Sequence, residues 1–402
     1  MKIAMVSEHA SPLATLGGVD AGGQNVHVAA LAREIAEAGH EVTVYTRKDR
    51  EDLPESVTFG PGVTVVHVPA GPAAEIPKDE ILPWVPQFGK WLHDRWLFDR
   101  PDLVHSHFWM SGLAALEAAD RLRIPVVHTF HALGSVKRRH QGPADTSPRD
   151  RIDAEAEIGR RVDAVIATCT DEVDELIRMR VPRRATRVVP CGVDVETFNP
   201  HVEPLERPER PRLLTVGRLV PRKGVDTTIR ALQYLKDAEL VIAGGPSSNE
   251  LHRDPEVTRL RWLAAQAGVS DRVTFLGRVS REALPALMRS STAVVSVPWY
   301  EPFGMVALEA MACGVPVVAS AVGGQKETVV NGVTGILVPP RQPAVLARAL
   351  RRLLDDRVRR TAFGIAGADR ARARYRWSRI AGETLATYER VLSAHTLERN
   401  AS

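Results

Sequence analysis

Cysteine is scarce in this 402-residue chain: Cys169, Cys191 and Cys313 are the three, and none forms a C-x-x-C pair with another. That excludes a disulfide scaffold and a thiolate zinc site, and the three are expected as buried apolar groups of a reduced, cytoplasmic protein. Long apolar runs are missing too. No stretch of about 18 apolar residues is found, which argues against a membrane-spanning helix. The chain opens directly on a strand pattern, without the basic and apolar regions of a secretory leader, so secretion is not expected. Basic residues exceed acidic ones only by 53 to 49, a net charge of +4, and no Lys/Arg block is interleaved with aromatics. Nucleic acid is therefore not an expected partner, whereas mild basicity suits phosphorylated small molecules. A hydrophobic content of 44% with 25% charged residues excludes global disorder, and the length implies two or three domains.

What is present is a rhythm. Short β-branched runs (KIAMVS, EVTVYT, LVHSH, VVHTF, AVIAT, RVVP) alternate with helical patterns such as VHVAALAREIAEAG. From Asn199 the pattern lapses into NPHVEPLERPERPR, rich in proline and charge, and then restarts with RLLTVG, VDTTIRALQYL, ELVIAGG, VTFLG, AVVSV, VPVVAS and GILV. Strands alternating with amphipathic helices make βαβ units and parallel sheets. The expected fold is α/β: two Rossmann-like domains facing each other across a cleft, over residues 1–198 and 212–375, joined by a linker at 199–211. A last amphipathic helix is expected over 376–395. In such sheets ligands gather at the carboxyl ends of the strands.

Four constellations fall at those ends. GGVDAGGQNVHV, Gly17 to Val28, sits between a strand and a helix; Gly22 and Gly23 would let backbone N–H groups and a helix start approach a phosphate, although the dinucleotide G-x-G-x-x-G spacing is absent. VGRLVPRKG brings Gly217, Arg218 and Lys223 to one loop, where a planar fork and a point cation suit a diphosphate whose charge develops as its bond breaks. In WYEPFGMVALEAMACGVPVVAS a helix starting near Phe303 would aim the amides of Gly304 and Met305 at an anion or a sugar oxygen, with Glu301 before it and Glu309 within it. Eight residues of helix span about 12 Å, too far for a glycosidase pair, so the two carboxylates are better suited to gripping separate sets of hydroxyls. Finally, VHSHFWMSG and VVHTFHALGSVK place His105, His107, His128 and His131 at strand ends. Their spacing is not that of helical metal ligands, so no metal is expected. His131 is read as a hydrogen-bonding group of the cleft and the other three as structural.

One segment stands apart. Residues 82–98 hold Trp84, Trp91 and Trp96 with Lys90 and Arg95, a pattern that an interfacial membrane helix and a packed core helix share.

Taken together these motifs resemble the family 4 retaining glycosyltransferases of GT-B fold, over nearly the whole chain. The likeness rests on E-x7-E in EPFGMVALEAMACGVPVVAS together with VGRLVPRKG, AGGPSS and GGQKETVVNGVTG. It implies metal-independent transfer of a hexosyl-type sugar from a nucleoside-diphosphate sugar, UDP-linked or else GDP-linked, without a cofactor. By the same likeness Gly23, Arg218 and Lys223 reach the donor diphosphate, Glu301 the donor-sugar hydroxyls and Glu309 the ribose. Phe303, Gly304 and Met305 lend amides, His131 faces the sugar, and the last helix crosses back to the first domain. DAGGQNVHV and AGPAAEIPKDEI are similar to the mycothiol-pathway subgroup that glycosylates inositol phosphate, whose acceptor positions match Asn25, Lys78 and Arg151. That subgroup's Tyr and Thr positions fall here on Pro101 and Ala132. HALGSVK and RIDAEAEI look equally like sucrose-phosphate synthases, with Lys137 and Arg151 as phosphate contacts. A cyclitol, an inositol phosphate, or a sugar or its phosphate fits both likenesses as acceptor, to a single chain or a homodimer. An epimerase, a phosphorylase or a nucleotide-sugar-binding protein could be built on the same plan.

Overall fold

The computed structural model describes residues 1–14, 22–206 and 208–401, with side chains described to residue 397. Most of the glycine-rich loop that precedes Gly22 lies outside the described residues. The chain divides into two compact units: Met1–Cys191 with Trp377–Ser402, and Gly192–Arg376.

In the first unit β1 (Lys2–Val6), β2 (Glu41–Arg47), β3 (Ser56–Gly60), β4 (Val63–Val68), β5 (Leu103–His107), β6 (Val126–Thr129), β7 (Ala164–Ala167) and β8 (Thr186–Val188) make one sheet. Its order is β3-β4-β2-β1-β5-β6-β7-β8, parallel except for the β3–β4 pair. Ile3, Met5, Val6, Leu103 and Val104 are fully buried, as expected for strands covered by helices on both faces. Order reverses beside β1, between β2 and β5, and that is where such a sheet opens a crevice.

Residues 82–98 form a short 3-10 turn (Leu82–Trp84) and a helix (Val85–Trp96). Val85, Phe88, Leu92 and Trp96 recur on one face of that helix, are buried in the core, and pack on the helix Trp109–Asp120. The apolar face read as suited to a membrane interface is thus used by the core, though Phe98 just beyond it is 91% exposed. Among the described residues no helix is long and apolar enough to cross a membrane.

The second unit holds β9 (Arg212–Val216), β10 (Glu239–Ala243), β11 (Val273–Gly277), β12 (Ala293–Ser296), β13 (Val317–Ser320) and β14 (Gly335–Val338). All pair in parallel, in the order β11-β10-β9-β12-β13-β14, with the reversal between β9 and β12. The stretch 199–211, expected as a linker, belongs to this unit: the Leu205 amide donates to the Ala286 carbonyl and the Arg289 guanidinium to that of Val202. The chain leaves the first unit after Cys191 and rejoins it at Trp377, and beside these crossings the Val193 amide donates to the Tyr375 carbonyl at 2.7 Å.

The last helix, Trp377–Ala401, belongs to the first unit and packs on the helix Gly23–Glu37. Its Tyr388 is fully buried, with the hydroxyl 2.6 Å from His105 Nδ1. Cys169, Cys191 and Cys313 are free and buried.

Candidate functional site

In the second unit the site grows from the carboxyl ends of β9 and β12. Strand β9 stops at Val216, Gly217 turns outward, and Arg218 follows with an exposed side chain. The turn Pro221–Lys223 then folds back because Gly224 is left-handed (φ +71°) and its missing Cβ leaves room for the Val297 carbonyl. The Trp299 amide, donating to the Arg222 carbonyl at 2.8 Å, ties this turn to the loop after β12. Lys223 and Glu301 meet there, Nζ to Oε2 at 2.5 Å. Burial lowers the Lys223 pKa, opposed by Glu301 and aided by Arg222 and Arg218. For Glu301 burial works against the charged form, but Lys223, Arg222 and Arg218 outweigh it and hold the carboxyl below its ordinary range.

Glu301 is fixed from below. A Cβ on Gly323 would collide with the Glu301 carbonyl, and one on Gly324 would lie 2.7 Å from Phe303 Cα. Next in chain, the buried Gln325 donates from Nε2 to Ser296 Oγ at 2.7 Å. The helix expected from near Phe303 begins at Met305, because Gly304 (φ +93°) is its left-handed N-cap. The amides at that start have no intrahelical partner by construction. The Phe303 ring packs into the unit, 6.1 Å from that of Tyr375, so only its backbone is available to a ligand. Glu309, with its side chain 6% exposed, is paired with Arg281 Nη1 at 3.0 Å, and Arg281 lies over the Phe198 ring. Burial raises the Glu309 pKa against the pull of Arg281.

In the first unit, Gly22 is the N-cap of the helix Gly23–Glu37, and its amide donates to Asn25 Oδ1 at 2.9 Å. Asn25 Nδ2 in turn donates to the Ser11 carbonyl at 3.0 Å. The Oδ1 of the buried Asn25 amide therefore serves the helix cap and its Nδ2 ties the helix start to the loop after β1, with the Gly23 amide left at the helix start. Lys137 pairs with Asp145 at 3.0 Å, and Arg151 with the fully buried Glu155 at 2.7 Å. Both cations also donate to Ser147 Oγ, at 2.8 and 3.2 Å, so they converge on one loop. The turn carrying Lys78 is tied to the same loop through Thr146, whose hydroxyl donates to Asp79 at 2.7 Å. Pro101 lies at the amino end of β5, the end away from ligands, and so cannot stand for an acceptor residue. Just past the carboxyl end of β5, the Phe108 ring lies 5.0 Å from the Arg151 guanidinium. Ala132 contributes its carbonyl, which accepts from Arg151 Nη2 at 2.7 Å.

The histidines divide differently from the expectation. His105 is held by Tyr388 and Thr129, and His128 by Ser106. His107 Nδ1 is 3.0 Å from His131 Nε2, and with His27 the two make a group that spacing along the chain could not reveal. His131 has φ +59°, a left-handed geometry that costs a non-glycine residue about 1–2 kcal/mol. Residues that escaped sequence reasoning are Arg281, Gln325, His27 and the pair Glu8–His9, where Glu8 Oε1 is 2.6 Å from His9 Nδ1 and Ser111 donates to the same carboxylate. Only SEHASP, polar residues directly after β1, carried a readable signal for any of these.

Two units, each built on a mostly parallel sheet with basic or glycine-bearing loops at the carboxyl ends of its strands, have the architecture of the GT-B class of sugar transferases. Residues 21–197 match the family described as Glycosyltransferase Family 4, and residues 198–370 that described as Glycosyl transferases group 1. The chain is 37% identical to a D-inositol 3-phosphate glycosyltransferase of Xylanimonas cellulosilytica, with 96% of each covered. It is 38% identical to one of Frankia alni, covering 96% of this chain and 98% of that one. Among solved structures, a sucrose-phosphate synthase from Thermosynechococcus elongatus superposes with a TM-score of 0.89 at 31% identity, covering 98% of this chain and 99% of that one. The chain belongs to glycosyltransferase family 4, and it is an enzyme that moves a sugar from a nucleotide-sugar donor to a hydroxylated acceptor.

Proposed function

We propose that the transfer proceeds with retention from a UDP-sugar, a GDP-sugar being the second reading, to a phosphorylated cyclitol or, failing that, a sugar or its phosphate. The second unit takes the donor: Arg218, Lys223, Gly217 and the amides of Gly304 and Met305 receive the diphosphate, Glu301 the sugar hydroxyls and Glu309 the ribose. The first unit takes the acceptor through Lys78, Lys137, Arg151 and His131, with Asn25 shaping the turn that presents Gly22 and Gly23. The bond from the anomeric carbon to the diphosphate breaks and a bond from the acceptor oxygen forms on the same face. The acceptor proton passes to the departing phosphate oxygen. Stabilising that leaving charge is the main catalytic contribution.

The observation that carries this reading is the Lys223–Glu301 pair beside Arg218, a cation and a hydroxyl acceptor held together at the sheet reversal. The convergence of Lys137 and Arg151 on Ser147, and the names of the Xylanimonas and Frankia relatives, support a phosphorylated ring as acceptor. A thermal-shift screen of UDP, GDP and ADP, then a donor and acceptor panel read by mass spectrometry, tests it. UDP should raise the melting temperature most, and nucleoside diphosphate should appear only when an acceptor is added. Acceptor-independent release, or none with any pair, would overturn it.

A further inference from the structure

We propose that His27, His107 and His131 form a binding site for a zinc ion. The three come from separate elements: His27 from the helix Gly23–Glu37, His107 from the end of β5 and His131 from the loop after β6. One ring nitrogen of each lies within 4.8 Å of the other two. His107 Nδ1 and His131 Nε2 are 3.0 Å apart, close to the roughly 3.3 Å that separates two nitrogens bound tetrahedrally to zinc. Rotation of the His27 ring, whose centroid is 5.0 Å from that of His131 and 5.7 Å from that of His107, would close the third side.

Chemistry favours the same conclusion. His27 Nδ1 is buried with no hydrogen-bond partner, and such an atom is costly unless a ligand takes it. Neutral imidazole is the commonest side-chain ligand of transition metals. Imidazole nitrogens without carboxylates select zinc, copper or cobalt over magnesium or calcium. His27 and His107 are enclosed while His131 is partly open, so three protein ligands would leave a fourth, solvent-side position for water or an anion. Occupancy engages His131, and, resting on the function proposed above, it inhibits sugar transfer.

The test uses the full chain, stripped with chelator and titrated with cobalt(II), whose visible absorption reports tetrahedral nitrogen coordination, and then with zinc as competitor. One equivalent should bind, zinc should displace it, and His27→Gln and His131→Gln should each weaken binding at least tenfold, with circular dichroism unchanged. His201→Gln, an exposed histidine of the second unit, should bind like the native chain. Absence of the cobalt spectrum, or its persistence in both His27→Gln and His131→Gln, would overturn the site. Transfer assays separate the two readings: zinc should slow the native enzyme and spare His27→Gln. Metal binding that leaves the native rate untouched would retain the site and overturn the role of His131 in transfer.

Discussion

His128 offers the sharpest link between a buried side chain and a solution measurement. It sits fully buried at β6, with Nδ1 2.8 Å from Ser106 Oγ and its ring edge-on to Phe130 at 4.2 Å between centroids. Burial pushes its pKa from the ordinary 6.5 down to about 3, opposed by Ser106. Between those values the unfolded chain takes up a proton that the folded chain refuses. Stability is therefore intact above pH 6.5 and is lost as pH falls toward 3, at about 1.4 kcal/mol per pH unit for this residue. From pH 7 to pH 5 the loss is about 2 kcal/mol, since only the part below 6.5 counts.

His128→Asn keeps a polar atom near Ser106 and removes the titration. At pH 7 the variant should be less stable by roughly 1–3 kcal/mol, from lost packing against Phe130. By pH 5 the gap should shrink by about 2 kcal/mol, because only the native chain carries the proton penalty. Urea unfolding at pH 7, 6 and 5 in the presence of chelator, followed by tryptophan fluorescence, reads this in the right place: Trp84, Trp91, Trp96, Trp109 and Trp377 all belong to the first unit. Native and variant curves that shift in parallel across this range would refute the reasoning.

Lys223→Met and Glu301→Gln should each lower kcat/KM by about 10²–10³, measured as acceptor-dependent release of nucleoside diphosphate, and native rates in either would exclude the pair from the site. Arg281→Ala leaves Glu309 buried without its cation and should destabilise the second unit by about 3–5 kcal/mol, less at acid pH where the carboxyl takes a proton; an unchanged urea midpoint would contradict this. Gly323→Ala should push the Glu301 carbonyl out of place, cost about 1–3 kcal/mol and abolish most transfer, while Gly332→Ala, with no atom within 4 Å of the added Cβ, should retain it. Equal activity in these two glycine variants would argue against positioning from below.

The parallel strands were legible because burial on both faces turns KIAMV, AVIA or AVVS into short, mostly apolar runs. Strand β3 was not, since it is an antiparallel edge with no buried residue. The division between units escaped composition because the proline-rich stretch is pinned by hydrogen bonds to residues near 286–289. In the proposed site, Arg218, Lys223, Glu301 and Glu309 stood out because cations and carboxylates beside glycines suit a diphosphate and its sugar. Arg281 and Gln325 did not, since each acts on a partner distant in sequence: Arg281 on Glu309 and Gln325 on Ser296. Asn25 shows the opposite failure, a residue whose local helix-cap geometry explains it as well as any ligand does. Pro101 stands close to LVHSH in sequence, and only strand direction puts it at the amino end of β5, away from the ligand side.

On the roles proposed for Lys223 and Glu301, their ion pair also bears on product release. A nucleoside diphosphate entering alone would draw Lys223 away and strand Glu301 with no donor in return. A nucleotide sugar would supply both halves of the exchange, oxygens for the lysine and hydroxyl donors for the glutamate. Once the sugar had moved to the acceptor, Glu301 would lose its hydroxyls and compete again for the lysine. The spent nucleotide would then be pushed toward the exit by the same contact that selected the loaded one.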